Sequence, residues 1–234
     1  MNKICKLSAI ALLASSTSLM AQSKSFEGPS LGLSVSGIGV EVEGSASTPA
    51  GTVGGQTTAA SSSSGSIGKV TPVAGIDLGY GFAAGSNFVI GVGATYIPVK
   101  AEVGVGKSDD STSGGSYKAE LKDHFTVYLQ PTFVINKDSA FFAKVNYAQA
   151  SVTNSDSSTA GTAKSKITSG DVEGWGFGLG LKTFLTPTTF VQVEANMTDY
   201  DEIKATRTGS DGRITTYKGD PLLAQGLISV GMHF

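Results

Sequence analysis

Two histidines, His124 and His233, and one cysteine, Cys5, are the reactive side chains to account for first in this 234-residue chain. Covalent or acid–base catalysis needs a nucleophile, a base and a group that orients the base. The sequence does not assemble such a set around either histidine. The carboxylate run Asp199-Tyr200-Asp201-Glu202 is the other candidate. Calcium takes about six to eight oxygens. On a strand Asp199 and Asp201 share one face while Glu202 points away, so no metal site is expected. A single cysteine excludes a disulfide scaffold and a cysteine-based zinc site. The chain is therefore read as a non-enzyme, with no catalytic residue, no cofactor and no metal.

Four other charges carry more meaning: Asp77, Lys144, Lys182 and Glu194. Each lies in a stretch whose apolar residues recur at every second position. Val70, Ala74, Ile76, Leu78, Tyr80 and Phe82 alternate with Gly75, Asp77, Gly79 and Gly81. Phe125, Val127, Leu129, Pro131 and Phe133 alternate with His124, Thr126, Tyr128, Gln130 and Thr132. Trp175, Phe177, Leu179 and Leu181 alternate with Gly176, Gly178, Gly180 and Lys182, and Val191, Val193 and Met197 with Gln192, Glu194 and Asn196. A period of two means strands with one apolar and one polar face. Pro131 and Asp123 stand out on the apolar parity, and Pro131 removes a ladder donor, so a bulge or local register shift is expected there.

Three short turns punctuate these strands, at Ala83–Asn87, Asn136–Ser139 and Thr186–Thr189. Four long polar connections alternate with them: Gly44–Gly68, Gly104–Ser116, Thr153–Asp171 and Lys204–Gly219. The first is nearly all Gly, Ser, Thr and Ala, and reads as a mobile, hydrated loop. This pattern requires eight strands, expected at Ser30–Glu43, Lys69–Phe82, Phe88–Val103, Tyr117–Ile135, Ala140–Val152, Val172–Leu185, Phe190–Ile203 and Leu222–Phe234. Phe82, Phe88, Phe133, Phe141, Phe184 and Phe190 flank the short turns. Tyr96, Tyr147, Trp175, Tyr200 and Tyr217 fall nearer the long loops. Two aromatic levels with an apolar band between them are the girdles of a transmembrane barrel. The girdle is assigned to Phe82, Phe88, Phe133, Phe141, Tyr147, Trp175 and Phe190.

Composition agrees. Charged residues are 15%, against roughly 25% in soluble domains. Glycine contributes 31 residues, mean hydropathy is +0.07 and the formal net charge is −2. That balance argues against a nucleic-acid partner. An all-β chain whose apolar parity faces lipid explains a low charge without a soluble surface. The fold class is an eight-stranded antiparallel up-and-down transmembrane β-barrel, with four long extracellular loops and three short periplasmic turns. The opposite parity then faces the lumen, where Asp77, Lys144, Lys182 and Glu194 should pair with one another as a plug, because unpaired buried charge is costly. A narrow ion pathway through the same charges is the alternative.

The first residues read as an address. Lys3 and Lys6 precede the apolar run Leu7–Ala14, Ser15–Ser18 breaks it, and Ala21 ends a small-residue segment. This is the pattern of a secretory signal peptide, residues 1–21, ahead of a barrel domain at 22–234. Cys5 leaves with it.

The last strand, Leu222-Leu-Ala-Gln-Gly-Leu-Ile-Ser-Val-Gly-Met-His-Phe234, resembles the insertion signal of bacterial outer-membrane barrels. The segments Gly75–Phe82, Phe88–Tyr96 and Ala140–Ala150 resemble those of the opacity-protein-like, or porin-family, eight-stranded barrels. The likeness spans essentially the whole mature chain and implies residence in the outer membrane of a Gram-negative bacterium. It implies recognition of Ile228, Val230, Met232 and Phe234 by the barrel assembly machinery. It also implies a structural and surface-interaction, adhesin-like role, with a narrow channel or small-solute porin as the alternative. The chain does not show the peptidoglycan-binding domain of the major outer-membrane protein A. His124-Phe-Thr126 resembles in part the His-x-Ser of lipid A deacylases, with Thr in place of Ser and on the lumen parity. The implied partners are outer-membrane lipid and lipopolysaccharide. Basic residues of the loop-side half (Lys69, Lys100, Lys107, Lys118, Lys122, Lys164, Lys166, Lys204, Arg207, Arg213 and Lys218) are candidates for its phosphates. They are mixed with Asp109, Asp110, Asp199, Asp201 and Glu202.

Overall fold

Alternation of this kind folds into strands long enough to cross a bilayer, and the chain is strand almost throughout. A computed structural model describes residues 22–53, 55–98, 100–107, 116–157, 170–208 and 212–234. The signal-peptide assignment lies outside the described residues. After a one-turn 3-10 helix at Ser23–Phe26 come β1 (Gly28–Thr48), β2 (Gly51–Val53), β3 (Gln56–Thr58), β4 (Ser61–Ala83), β5 (Phe88–Ile97) and β6 (Ala101–Lys107). There follow β7 (Ser116–Val134), β8 (Ser139–Ser157), β9 (Gly170–Phe184), β10 (Thr189–Tyr200), β11 (Ile203–Thr208) and β12 (Ile214–His233). β5 and β6 form one stave of the wall, interrupted around Pro98. β10 and β11 form another, interrupted at Asp201 and Glu202. The staves run antiparallel in chain order, and β1 pairs with β12 to close an eight-stranded barrel.

The register fixes the shape. Ser30 pairs with Gly79, which pairs with Gly93, and the ring continues through Tyr128, Asn146, Gly176, Thr198 and Leu223. Leu223 pairs with Val40, so one circuit returns to β1 ten residues above its start. A stagger of about ten residues at ~3.3 Å rise, against eight spacings of ~4.8 Å, tilts the strands by about 40°. Such a barrel has an interior that side chains can fill.

The polarity is inside out. Leu31, Leu33, Val35, Leu78, Phe125, Val127, Phe177, Leu179, Ile228 and Val230 point outward and are exposed. Ser34, Ser36, Thr126, Gln130, Asn146, Gln192 and Asn196 are buried inside. Short turns close the lower end. The Ala84 amide donates to the Phe88 carbonyl at 2.8 Å, and Asn136 Oδ1 accepts from the amides of Asp138 and Ser139 at 2.9 Å each.

Four expectations need correcting. Gly44–Gly68 is not chiefly loop: β1 runs on to Thr48, β4 starts at Ser61, and the β2–β3 hairpin caps them. Each new Ser or Thr adds a backbone ladder bond, and small hydroxyl side chains tolerate both faces of a solvated ribbon. Phe88–Val103 and Phe190–Ile203 are each two strands. The bulge is not at Pro131, which pairs in register with Ile90, but between Lys122 and Phe125. Asp123 there has φ 51°, a left-handed conformation that Asp tolerates better than most residues. Above it the facing parity switches, so Leu121 as well as His124 is buried in the lumen.

Candidate functional site

The lumen is the place where polar chemistry is gathered, and it is stacked in layers. At the lower mouth Phe26, Val89, Val134, Ala140, Phe184 and Phe190 form an apolar floor. Phe26 meets the Phe184 ring edge to face at 4.9 Å. It is carried there by the 3-10 turn, which Ser23 fastens by donating to the Gly85 carbonyl at 2.7 Å. Phe190 therefore does not belong to the girdle. It shares a parity with Gln192 and Glu194 and is 3% exposed, and Phe184 faces it from β9. The other girdle residues lie on the outer surface: Phe82, Phe88, Phe133, Phe141 and Trp175 are exposed. Tyr147 is half-buried against Trp175, ring centres 5.4 Å apart.

Above the floor lies a cavity of about 40 Å³ whose lining includes Asp77, Tyr128, Gln130, Lys182 and Gln192. Gly79, Gly81 and Gly91 open its other wall. That volume holds only a few waters, at about 10–15 Å³ each on this measure. Asp77 accepts from the Thr95 hydroxyl at 2.7 Å and the Tyr128 hydroxyl at 3.0 Å. The Lys182 ammonium lies 3.8 Å from the Phe190 ring centre, a cation–π contact.

The next layer is an ion pair. Lys144 Nζ lies 2.5 Å from Glu194 Oε2. Gln192 donates to the same oxygen at 3.2 Å, and Asn196 donates to the other at 3.4 Å. Thr198 in turn donates to Asn196 at 3.2 Å. Every partner except Lys144 lies on β10, two residues apart, because alternate residues of one strand face the same way. Both members of this pair are buried in the lumen, and the expected four-charge network is narrower in fact. Lys144 and Glu194 pair, Asp77 is held by hydroxyls and Lys182 by a ring.

The upper end of the lumen is apolar. Ile38, Val40, Val73, Ile97, Leu121, Ala148, Ala150, Val172, Tyr200 and Leu223 fill it. Tyr200 is thus a lumen residue and not part of an outer aromatic level. The signal was present in the sequence as Ile38 and Val40, which follow Ser34 and Ser36 on one parity.

At the upper rim, beside the long connections, Glu202 receives Lys204 at 2.9 Å and Lys218 at 3.2 Å. The hydrogen bonds from Lys204 and then Lys218 hold its carboxyl below the usual carboxylate range. Two of the basic residues expected to meet lipid phosphates are therefore already engaged, and Lys122 lies 4.0 Å from Glu120. Lys164, Lys166, Asp109 and Asp110 lie outside the described residues, as do the side chains of Lys107, Lys118 and Arg207. Among the described residues no three metal-ligating side chains converge, and Asp199-Tyr200-Asp201-Glu202 splits, with Tyr200 inward and the acids outward. His124 and His233 lie apart, His124 in the upper lumen and His233 at the lower mouth, where its Nε2 is 2.9 Å from the Glu27 carbonyl. Ile228, Val230 and Met232 line the outer face of β12, and Phe234, just past its end, is exposed.

A family model described as outer membrane protein beta-barrel domain matches residues 9–218. Solved structures share the architecture at low identity. OprG from Pseudomonas aeruginosa is 14% identical with a TM-score of 0.50, covering 89% of this chain and 97% of its own. Ail, the attachment invasion locus protein of Yersinia pestis, solved with the heparin analogue sucrose octasulfate, is 13% identical with a TM-score of 0.42, covering 89% and 99%. Neisserial surface protein A is 9% identical with a TM-score of 0.32, covering 86% and 97%. No curated protein sequence matches the chain.

Proposed function

The chain belongs to the outer membrane protein β-barrel domain family and resides in the outer membrane, and from that premise we propose that it is a structural and surface-contact, adhesin-like protein. One observation carries this reading: the lumen is filled in layers, while the strands continue outward past the apolar band. From Glu41 to Ser47, β1 pairs with β12 on one side and β4 on the other. This segment extends roughly 23 Å along the strand at about 3.3 Å per residue. Backbone pairing holds this ribbon, so it presents its Ser and Thr hydroxyls on a firm support.

The runner-up is a narrow channel or small-solute porin. The glycine-walled cavity beside Asp77 and Lys182 favours it, since glycines remove bulk from the lumen. On the same family premise, Ile228, Val230, Met232 and Phe234 serve recognition by the barrel assembly machinery. Lipopolysaccharide and outer-membrane lipid surround the wall, and residues 1–21 direct export. The surface-contact role involves no chemical step, and no residue is given a catalytic one.

The experiment deletes Gly44–Gly68 and compares adhesion of expressing cells with heat-modifiable gel migration of the protein. Loss of adhesion with unchanged migration supports surface contact. Reproducible single-channel steps in planar bilayers, abolished by Lys144→Glu, support the channel instead.

A further inference from the structure

Three irregularities of the wall meet at one level of the lumen. β5 stops at Ile97, whose ladder partner is His124. β7 bulges between Lys122 and Phe125. β10 stops at Tyr200, just before the interruption at Asp201 and Glu202. Two buried polar side chains lack a partner at this same level. They are His124, at both ring nitrogens, and Tyr200, at its hydroxyl. Each is 5% exposed, and their rings stand edge to face with centres 6.4 Å apart.

A buried imidazole without a hydrogen bond gives up its hydration for nothing in return. Once protonated it carries two donors and a charge, and its polar neighbour in the layer, the Tyr200 hydroxyl, is a neutral group that offers no counter-charge. The lumen side of β1 contributes Ile38 and Val40, β4 Val73, β5 Ile97, β8 Ala148 and Ala150, β9 Val172 and β12 Leu223. Tyr200 on β10 is the titratable group in ring contact with His124, and Lys69 of β4, opposite Val40, stands on the same lumen parity above Val73. Lys144 and Glu194 belong to the layer below and neutralise each other. Lys122 and Asp123 flank the ring in sequence, and Asp123 accepts the Tyr96 hydroxyl from β5 at 3.2 Å on the outer side of the wall. These groups are named among the described residues.

We propose that His124 is an acid-sensitive key to the outer layer of the lumen. On acidification the charged ring seeks water, and the wall can yield there because β5, β7 and β10 are all irregular at that level. The apolar layer opens to extracellular solvent, while the Lys144–Glu194 pair and the Phe26 floor stay shut. Such opening depends on the barrel and not on the surface-contact role.

The test uses the protein in lipid vesicles with Cys5 replaced by Ser, so that one introduced thiol reports. Ala150→Cys sits in the outer layer and Ser47→Cys on the exposed ribbon. A charged, membrane-impermeant thiol reagent is applied between about pH 7.5 and about pH 5, where an imidazole titrates. The ratio of the two labelling rates cancels the pH dependence of the thiol itself. With His124 present the ratio should rise by up to about tenfold per pH unit, the limit for a single protonation. With His124→Phe it should stay flat. His124→Gln, which keeps a polar side chain that does not titrate, should also stay flat and serves if the Phe variant does not insert. A flat ratio with His124 present, or an equal rise in both variants, overturns the proposal.

Discussion

Lys144 and Glu194 meet across a strand that lies between them. Lys144 is on β8 and Glu194 on β10, and β9 presents Gly178 opposite Lys144 and Gly180 opposite Glu194. Two glycines pave the intervening strand, so a long ammonium and a carboxylate can reach over it and close at 2.5 Å. Both side chains are almost fully buried, at 4% and 2% exposed.

The pair should therefore behave as a unit. Lys144→Met leaves a buried carboxylate without its counter-charge and should cost about 3–5 kcal/mol. Lys144→Met combined with Glu194→Leu removes both charges and should recover most of that loss. Urea unfolding in lipid vesicles, followed by heat-modifiable gel migration, measures both. A double variant as weak as the single one would contradict the account.

Gly180 should be intolerant of a side chain. A Cβ there would collide with the Phe142 ring and the Val193 carbonyl. Phe142 is fully buried. Gly180→Val should destabilise by about 1–3 kcal/mol or block folding. Gly226→Ala, where an added Cβ meets nothing within 4 Å, is the matched control and should fold as the parent does.

Trp175 is the single tryptophan of the chain and points outward, 67% exposed. Its exposed surface should be in lipid rather than water. Its fluorescence should be quenched strongly by brominated acyl chains and weakly by aqueous acrylamide. The reverse pattern would place it on a water-facing surface.

Glu202 supplies a pH dependence outside the membrane. Its carboxyl is held below the usual range by Lys204 first and Lys218 second. A depressed carboxylate stabilises the folded rim above the unfolded-state value, about 4.3 for Glu. That contribution is lost as pH falls through the lower, folded-state value. Carboxyl carbon shifts in an NMR titration should show Glu202 titrating below an ordinary glutamate. Lys204→Ala should move its midpoint upward, and no change would remove Lys204 as the cause.

Strand parity was legible because lipid, unlike water, leaves no room for ambiguity on the outer face. Leu31, Leu33 and Val35 had to point one way and Ser34 and Ser36 the other. The short turns were legible for a local reason, since Asn136 satisfies the amides two and three residues ahead of it. Phe190 borders a turn as the girdle residues do, yet it points inward, because its alternation with Gln192 and Glu194 outranks its place beside the turn. The bulge sits at Asp123, whose mark in the sequence is a charge on the outward, apolar parity. Pro131, the residue with the obvious local defect, stays in register: it pairs with Ile90, and the β7–β8 ladder skips Gln130 and Pro131 and resumes at Thr132 opposite Phe142 without a shift.

The amino-acid sequence by itself determined the inside-out polarity, the number of staves and the lower turns, because these follow from period-two alternation and short-range backbone bonding. It also placed Lys144 and Glu194 on lumen-facing parities. Only the tertiary structure decided which charges meet. A stagger of ten residues per circuit sets which levels of distant strands coincide, and that is a property of barrel closure rather than of any one strand. The same closure brought Ile38, Leu121 and Leu223 together as an apolar upper layer, and it left His124 and Tyr200 buried there without partners.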